Sequence, residues 1–259
     1  MRIAVLVKEV PDTYGERTID LETGLADRTG DMVLDEITER AVEAALQLRD
    51  AQGEGHVDLI SVCPESAVSS IRRGLAMGAD EAVVVTDDGL IGADLTMTAQ
   101  ALAGACAKQQ YDLIIAGNLS TDGSGGVIPT MVAEHLDLPQ LTNVSSMDVS
   151  GGTITATRLD DDANVALEAQ LPAVVSITEA FPDARFPNFK GLRAAKKKPV
   201  TELTLADVGI DADDFTHPRA IMVQIDKTPA REAGTIVTDE GDGSAATALA
   251  QFLADNRLV

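Results

Sequence analysis

The stretch Ala116–Leu141, "AGNLSTDGSGGVIPTMVAEHLDLPQL", decides the fold. It leaves the apolar run "YDLIIAG", crosses a polar turn with glycine at 123, 125 and 126, and then repeats apolar residues at 128, 131, 132 and 136. That spacing is one face of a helix. A strand that passes through a glycine-rich turn into a helix is one half of a strand-helix-strand unit. The turn then lies at the C-terminal end of a parallel strand, where doubly wound sheets bind ligands, because a helix N-terminus presents free N–H groups and the positive end of its dipole. Gly123, Gly125 and Gly126 let the backbone approach a phosphate closely.

Known phosphate and nucleophile motifs do not fit it. In the GxGxxG pattern Ile128 stands where the last glycine belongs, and the turn follows the fourth predicted strand instead of the first. There is no Walker A sequence, and Asp122 breaks the GxSxG elbow around Ser124. The plainer reading is a turn that merely ends a strand, with Asp122 as a helix cap. His135 falls on the stripe Ile128, Met131, Val132, His135, Leu136 and is expected in the core. His56 and His217 stand isolated in the sequence, and no Ser/His/Asp set or metal-ligand array assembles.

The same alternation extends outward from this stretch. "RIAVLVK", "HVDLISVC" and "EAVVVT" read as buried strands before it. Between them lie helical patterns, one with Ile37, Ala41, Ala44, Ala45 and Leu48 on one face and Asp35 as its cap, another opened by Pro64 and closed by Gly78. The prediction is an α/β fold with a doubly wound, mainly parallel sheet of Rossmann-like, nucleotide-binding type. After Pro139, "TNVSSMDVS", "GTITATRLD", "VALEAQ" and "AVVSIT" are expected to add antiparallel strands. "EAFPDARFPNFKGLRAAKKKP" (179–199), with three prolines and three consecutive lysines, reads as a loop. Residues 1–227 form the α/β domain, and 228–259 an extended C-terminal arm ending in an amphipathic helix.

Charge and cysteine usage bound the function. A 259-residue chain with formal charge −22 repels nucleic acid, and only Lys196-Lys197-Lys198 is locally basic. The acidity fits a protein kept soluble in the cytoplasm; adaptation to high salt is the other reading. Cys63 and Cys106 lack the spacing of a disulfide framework or a zinc site. No signal-peptide pattern opens the chain and no apolar run reaches membrane-spanning length, so a cytoplasmic protein without membrane insertion is expected.

Five ordered segments resemble the beta subunit of electron transfer flavoprotein: "VLVKEVPD" (5–12), "ERAVEAALQLRD" (39–50), "IRRGLAMGADEAVVV" (71–85), "DLIIAGNLSTDGSGGVIP" with "LDLPQLT" (112–142), and "LPAVVSI" with "ARFPNFKGLRAAKKKP" (171–199). The resemblance implies a non-catalytic electron-carrier subunit in a heterodimer whose alpha subunit holds most of a shared FAD. It implies AMP on this chain, or a second FAD in electron-bifurcating relatives. Donors would be acyl-CoA-type dehydrogenases of fatty acid oxidation, and the acceptor a quinone oxidoreductase. By position in the family pattern, the nucleotide would contact Leu6, Asp35, Val62, Asn118, Ser120, Thr121, Asp122, Gly123, Ser124, Gly125, Gly126 and Val127. Relatives commonly carry a TGQ-type sequence at the helix start, where this chain has Val127-Ile128-Pro129; backbone N–H contacts need no particular side chain. Residues 178–198 would be the partner-recognition loop, with Phe189 as apolar anchor and Lys196, Lys197 and Lys198 as its basic flank; the plainer alternative tucks Phe186 and Phe189 onto the sheet. The arm would pack on the alpha subunit. A stand-alone ATP- or AMP-binding module of universal-stress type shares the sheet and the turn, but does not predict the Phe-Pro-Lys loop or the arm.

Overall fold

The computed structural model describes residues 1–15, 17–214, 219–231, 233–239 and 241–259; His217 lies outside them. In chain order the strands and helices are β1 (Arg2–Leu6), β2 (Glu9–Pro11), β3 (Met32–Leu34), α1 (Glu36–Gln52), β4 (His56–Val62), α2 (Val68–Met77), β5 (Glu81–Val85), α3 (Leu95–Cys106) and β6 (Leu113–Gly117). There follow α4 (Ile128–His135), β7 (Gln140–Ser150), β8 (Thr153–Leu159), β9 (Asn164–Gln170), β10 (Ala173–Ile177), α5 (Phe189–Ala195), β11 (Val200–Leu203) and α6 (Ser244–Asp255).

A nine-stranded sheet runs in the order β11-β5-β4-β1-β6-β10-β7-β8-β9, and β2 pairs with β3 in a separate ribbon. From β11 to β7 every pairing is parallel; β7-β8 and β8-β9 are antiparallel. The parallel strands are apolar on both faces because helices cover both. Ile3 and Val5 of β1 point into one layer with Ala41, Ala45 and Leu46 of α1 and Ile71 and Leu75 of α2. Ala4 and Leu6 point into the other with Leu102 of α3 and Val132 of α4. Each fully buried branched side chain, such as Ile60 or Ile115, contributes roughly 1.5–3 kcal/mol.

The helix starts follow local chemistry. Asp94 Oδ1 accepts the Met97 N–H at 2.8 Å and caps α3. Asp35 occupies the cap position of α1 but makes no side-chain cap bond; its carboxylate goes elsewhere, as described below. Gly53, at φ 76°, ends α1. The Pro64 segment begins with a short 3-10 turn (Glu65–Ala67) before α2.

Two expectations are corrected here. "AVVSIT" is not an antiparallel addition: β10 lies in the middle of the sheet, parallel to both β6 and β7. All five of its residues are buried, the pattern of a strand covered on both faces. Only β7, β8 and β9 form the antiparallel extension, and β9 alternates exposed and half-buried as an edge strand does. Second, the loop of residues 179–199 contains a helix, α5, capped by Asn188 Oδ1 on the Gly191 N–H at 2.8 Å. Gly191 is needed there because a β-carbon would stand 2.3 Å from the Ala76 carbonyl oxygen.

By contacts the chain divides into residues 1–224 and residues 225–259. The second unit carries α6, which exposes Leu249 and Phe252.

Candidate functional site

From β1 the chain crosses outward to β4 and then β5, and returns to β6 on the other side of β1. The strand order therefore reverses between β1 and β6, and the crevice at their C-terminal ends is where such sheets bind ligands. Leu6 ends β1 beside Ala116 of β6 and Ile60 of β4. Val62 ends β4 and packs against the same layer as Leu6. The glycine-rich turn leaves β6 at this point.

Asn118 starts the turn, its N–H bonded to the Ile177 carbonyl at 2.9 Å and its Oδ1 accepting the Leu119 N–H at 2.8 Å. Ser120 organises the middle: its carbonyl accepts the Ser124 N–H at 3.0 Å, and its Oγ the Gly123 N–H at 3.3 Å. Ser124 and Gly126 are both left-handed, at φ 47° and 68°. The positive φ of Gly126 favours glycine there, and a β-carbon would also displace the Leu119 side chain, whose Cδ2 would lie at 2.8 Å. Among the described residues, the N–H groups of Gly125, Gly126 and Val127 have no backbone acceptor. They stand immediately before α4, on an exposed segment.

Asp35 joins this turn to the start of α1. It is fully buried, and its Oδ2 accepts the Thr121 N–H at 2.9 Å. Its Oδ1 has no hydrogen-bond partner, nor has the buried Thr121 Oγ1. Burial pushes the Asp35 carboxyl above its ordinary value, against the pull of the nearby Thr121 and Ile37 N–H groups, and Asp122 nearby adds to the push. Asp122 is not a helix cap, since α4 begins six residues later at Ile128 after Val127. It pairs with Lys8 Nζ at 2.6 Å and accepts the Gly123 N–H at 2.6 Å. Burial opposes its charge, but Lys8, Ser120 and Gly123 outweigh burial and hold its carboxyl below the ordinary value.

Lys8 and Arg17 are the two residues here that reading the sequence missed. Lys8 Nζ also lies 3.4 Å from Ser120 Oγ, and Arg17 donates to the Thr121 carbonyl. Both are distant from the turn in sequence, and only the β1-β6 neighbourhood brings Lys8 to it. His135 is exposed and not in the core: α4 is a single eight-residue helix, and its last residue has already turned off the buried stripe.

On the recognition segment, Phe186 and Phe189 are 88% and 83% exposed, so neither is tucked onto the sheet. Arg185 fixes the segment to α1 through Glu43 Oε2 at 2.7 Å and Asp50 Oδ2 at 3.2 Å. Lys196 and Lys197 are exposed. Lys198 instead turns inward and donates to the carbonyls of Leu75, at 2.9 Å, and Ala79; burial lowers its pKa.

At the opposite, N-terminal ends of β1, β4 and β5, register gathers residues that the sequence scatters. His56 Nε2 lies 2.8 Å from Asp58 Oδ1, and Arg2 reaches Asp58 at 2.7 Å and Glu81 at 2.5 Å. His56 is thus not isolated in space, and the three ligand-type groups lie close enough to one another to surround a cation. The Arg2 guanidinium already supplies positive charge to both carboxylates. Burial raises the Cys63 thiol and pushes Cys106 up to about 12, which leaves Cys106 inert near neutral pH. Among the described residues no helix is long and apolar enough to cross a membrane.

Fold and site together define a doubly wound, Rossmann-like α/β protein with a donor-rich turn at the reversal of its strand order. The family model described as "Electron transfer flavoprotein domain" matches residues 23–208. The chain is 46% identical over 266 residues to the electron transfer flavoprotein subunit beta of Mycobacterium leprae (strain TN), with 99% of both chains covered. It is 45% identical over 265 residues to that of Mycobacterium tuberculosis (strain ATCC 25618 / H37Rv), again covering 99% of each. To that of Bacillus subtilis (strain 168) it is 32% identical over 242 residues, 93% of each. The chain belongs to the electron transfer flavoprotein family, as a beta subunit.

Proposed function

We propose that this chain pairs with an alpha subunit that holds most of a shared FAD, and that it binds AMP at the turn between β6 and α4. The observation that carries the nucleotide reading is the set of unsatisfied groups at one place: the N–H groups of Gly125, Gly126 and Val127, and the buried Asp35 Oδ1 and Thr121 Oγ1. The N–H groups suit a phosphate, and the buried acceptor and hydroxyl suit the hydroxyl or amino donors of an adenosine. AMP carries no redox group, so its role is to stabilise the native state that binds it. The carrier takes electrons from acyl-CoA-type dehydrogenases in the cytoplasm and delivers them to a quinone oxidoreductase. Phe189, with Lys196 and Lys197 beside it, docks the donor, and residues 228–259 pack on the alpha subunit.

Denaturing the purified heterodimer and separating the released nucleotides by chromatography tests this. The expected yield is one FAD and one AMP per heterodimer. Two FAD and no AMP would make the occupant a second flavin; a single FAD alone would refute a nucleotide on this chain. Gly125→Val is the matching variant. A β-carbon there meets Leu95 Cδ1 at an ordinary 3.6 Å, and no positive φ opposes it. The β-carbon is thus accommodated, the branched side chain beyond it crowds the turn, and AMP content should fall before the flavin spectrum changes.

A further inference from the structure

A phosphate brought to this turn meets negative charge already in place. Asp35 is fully buried and the Asp122 side chain is only 15% exposed, and Asp122 lies close enough to oppose ionisation of Asp35. The chain as a whole carries −22. Backbone N–H groups bring partial charges only, so an anion beside two acidic side chains is favoured by a full positive charge nearby. Among the described residues two cations reach the turn. Arg17 is directed at the neutral Thr121 carbonyl. Lys8 is directed at Asp122 Oδ1, 2.6 Å away, and at Ser120 Oγ, 3.4 Å away, while its side chain stays 42% exposed. An ammonium has three N–H donors; these two contacts leave the third without an acceptor among the described residues.

We infer that Lys8 supplies the positive charge that meets the phosphate of a nucleotide bound on the β6-α4 turn, and that Asp122 is a positioning residue that holds Lys8 there. This rests on the nucleotide reading above and assigns its phosphate chemistry, shared by AMP and FAD, to one side chain. An ionised carboxylate cannot accept from a phosphate dianion, so Asp122 acts on the ligand through Lys8. Three features make Lys8 suited to the task. It leaves β1 next to the strand that carries the turn, its ammonium is held at the turn before a ligand arrives, and its exposed side leaves room for an anion to approach. The Ser120 and Asp122 contacts reduce the freedom that a long side chain would otherwise lose on binding.

The test uses the heterodimer freed of bound nucleotide, with folding confirmed by circular dichroism, and titrates AMP, FAD and adenosine by calorimetry; whichever nucleotide binds serves as the probe for the variants. Lys8→Met should weaken nucleotide binding by about ten- to a hundred-fold, the loss of one charge-assisted contact. Adenosine affinity should stay within about twofold, because adenosine lacks the group that the charge serves. Lys8→Arg should restore most of the nucleotide affinity. Asp122→Ala removes the acceptor that holds Lys8, so it should lower the ratio of nucleotide to adenosine affinity, and Asp122→Asn, which keeps an acceptor, should restore most of it. Equal losses for nucleotide and adenosine in Lys8→Met, or no loss for either, overturn the assignment, as does an unchanged ratio in Asp122→Ala. If the wild-type heterodimer binds nucleotide and adenosine equally well, the phosphate role fails while the adenosine site stands. If it binds neither, the nucleotide reading itself falls.

Discussion

Asp35 is a buried carboxylate with one oxygen on the Thr121 N–H and the other unpartnered. Its folded-state pKa is raised, because burial opposes its charge. The sign follows directly: stability linked to that proton is fully present below the unfolded value and is lost as pH rises through the raised folded value. Asp35→Asn keeps an oxygen for Thr121 and removes the charge. In nucleotide-free protein its melting temperature should match wild type near pH 4 and exceed it increasingly toward pH 7; a difference that does not grow with pH would contradict the burial argument. Residue chemistry of this kind was only half legible in the sequence. Asp35 reads as a helix cap because it precedes a helix, yet its side chain serves a turn 86 positions away. Lys8 and Asp122, 114 positions apart, give no local signal at all. Partners chosen by register, such as Arg2, His56, Asp58 and Glu81, are likewise visible only when the strands are aligned.

Helix α5 and the segment before it show how an element exposes one residue and fixes the next. Arg185 clamps the segment to α1, and Arg72 holds its far end through the Ala195 carbonyl at 2.7 Å. Phe189 stands outward between these two anchors. Truncating such an anchor costs about 2–4 kcal/mol at a true hot spot, roughly thirty- to a thousand-fold in affinity. Phe189→Ala should therefore raise the half-saturating carrier concentration with an acyl-CoA-type dehydrogenase and leave the FAD content unaltered; an unchanged half-saturation in coupled dye reduction would leave Phe189 without a docking role. The clamp has its own pH dependence. Burial opposes the Glu43 charge, but the bonds from Arg185 and Gln47 outweigh it and hold its carboxyl below the ordinary 4.5. The clamp is then intact above about pH 4.5 and weakens as pH falls through the lower folded value. Backbone amides of 184–195 should exchange hydrogen faster below that range in mass-spectrometric exchange, and unaltered rates would argue against the clamp. Elements built on periodicity were legible: β1, β4, β5 and β6 follow from their apolar runs, and α1 from Ile37, Ala41, Ala44 and Ala45, all buried. The placement of β10 was not, because an apolar run of five residues states that both its faces are covered but not which strands flank it. Helix α5 was hidden behind prolines that sit outside it, at 182, 187 and 199.

Across the whole molecule the dominant electrostatic fact is a formal charge of −22. Self-repulsion of that size opposes the compact state, and about 1 M salt shortens the screening length to roughly 3 Å from about 10 Å at 0.1 M. Raising KCl over that interval should increase the melting temperature, by about 2–4 °C for each kcal/mol of repulsion removed. A melting temperature insensitive to KCl would mean that the acidic groups are already neutralised by local pairing. The mixed sheet carries a second whole-molecule consequence, this time for how the chain is made. Strands β6 and β7 do not pair with each other; each pairs with β10, which is synthesised after both and after the entire β7-β8-β9 extension. A nascent chain that has emerged only as far as Gln170 lacks the strand with which both β6 and β7 pair, and an unpaired strand edge is open to pairing with a neighbouring chain. The sheet cannot close behind the ribosome from its N-terminus. Closure of the sheet waits for β10, whose five residues complete the pairing of both β6 and β7.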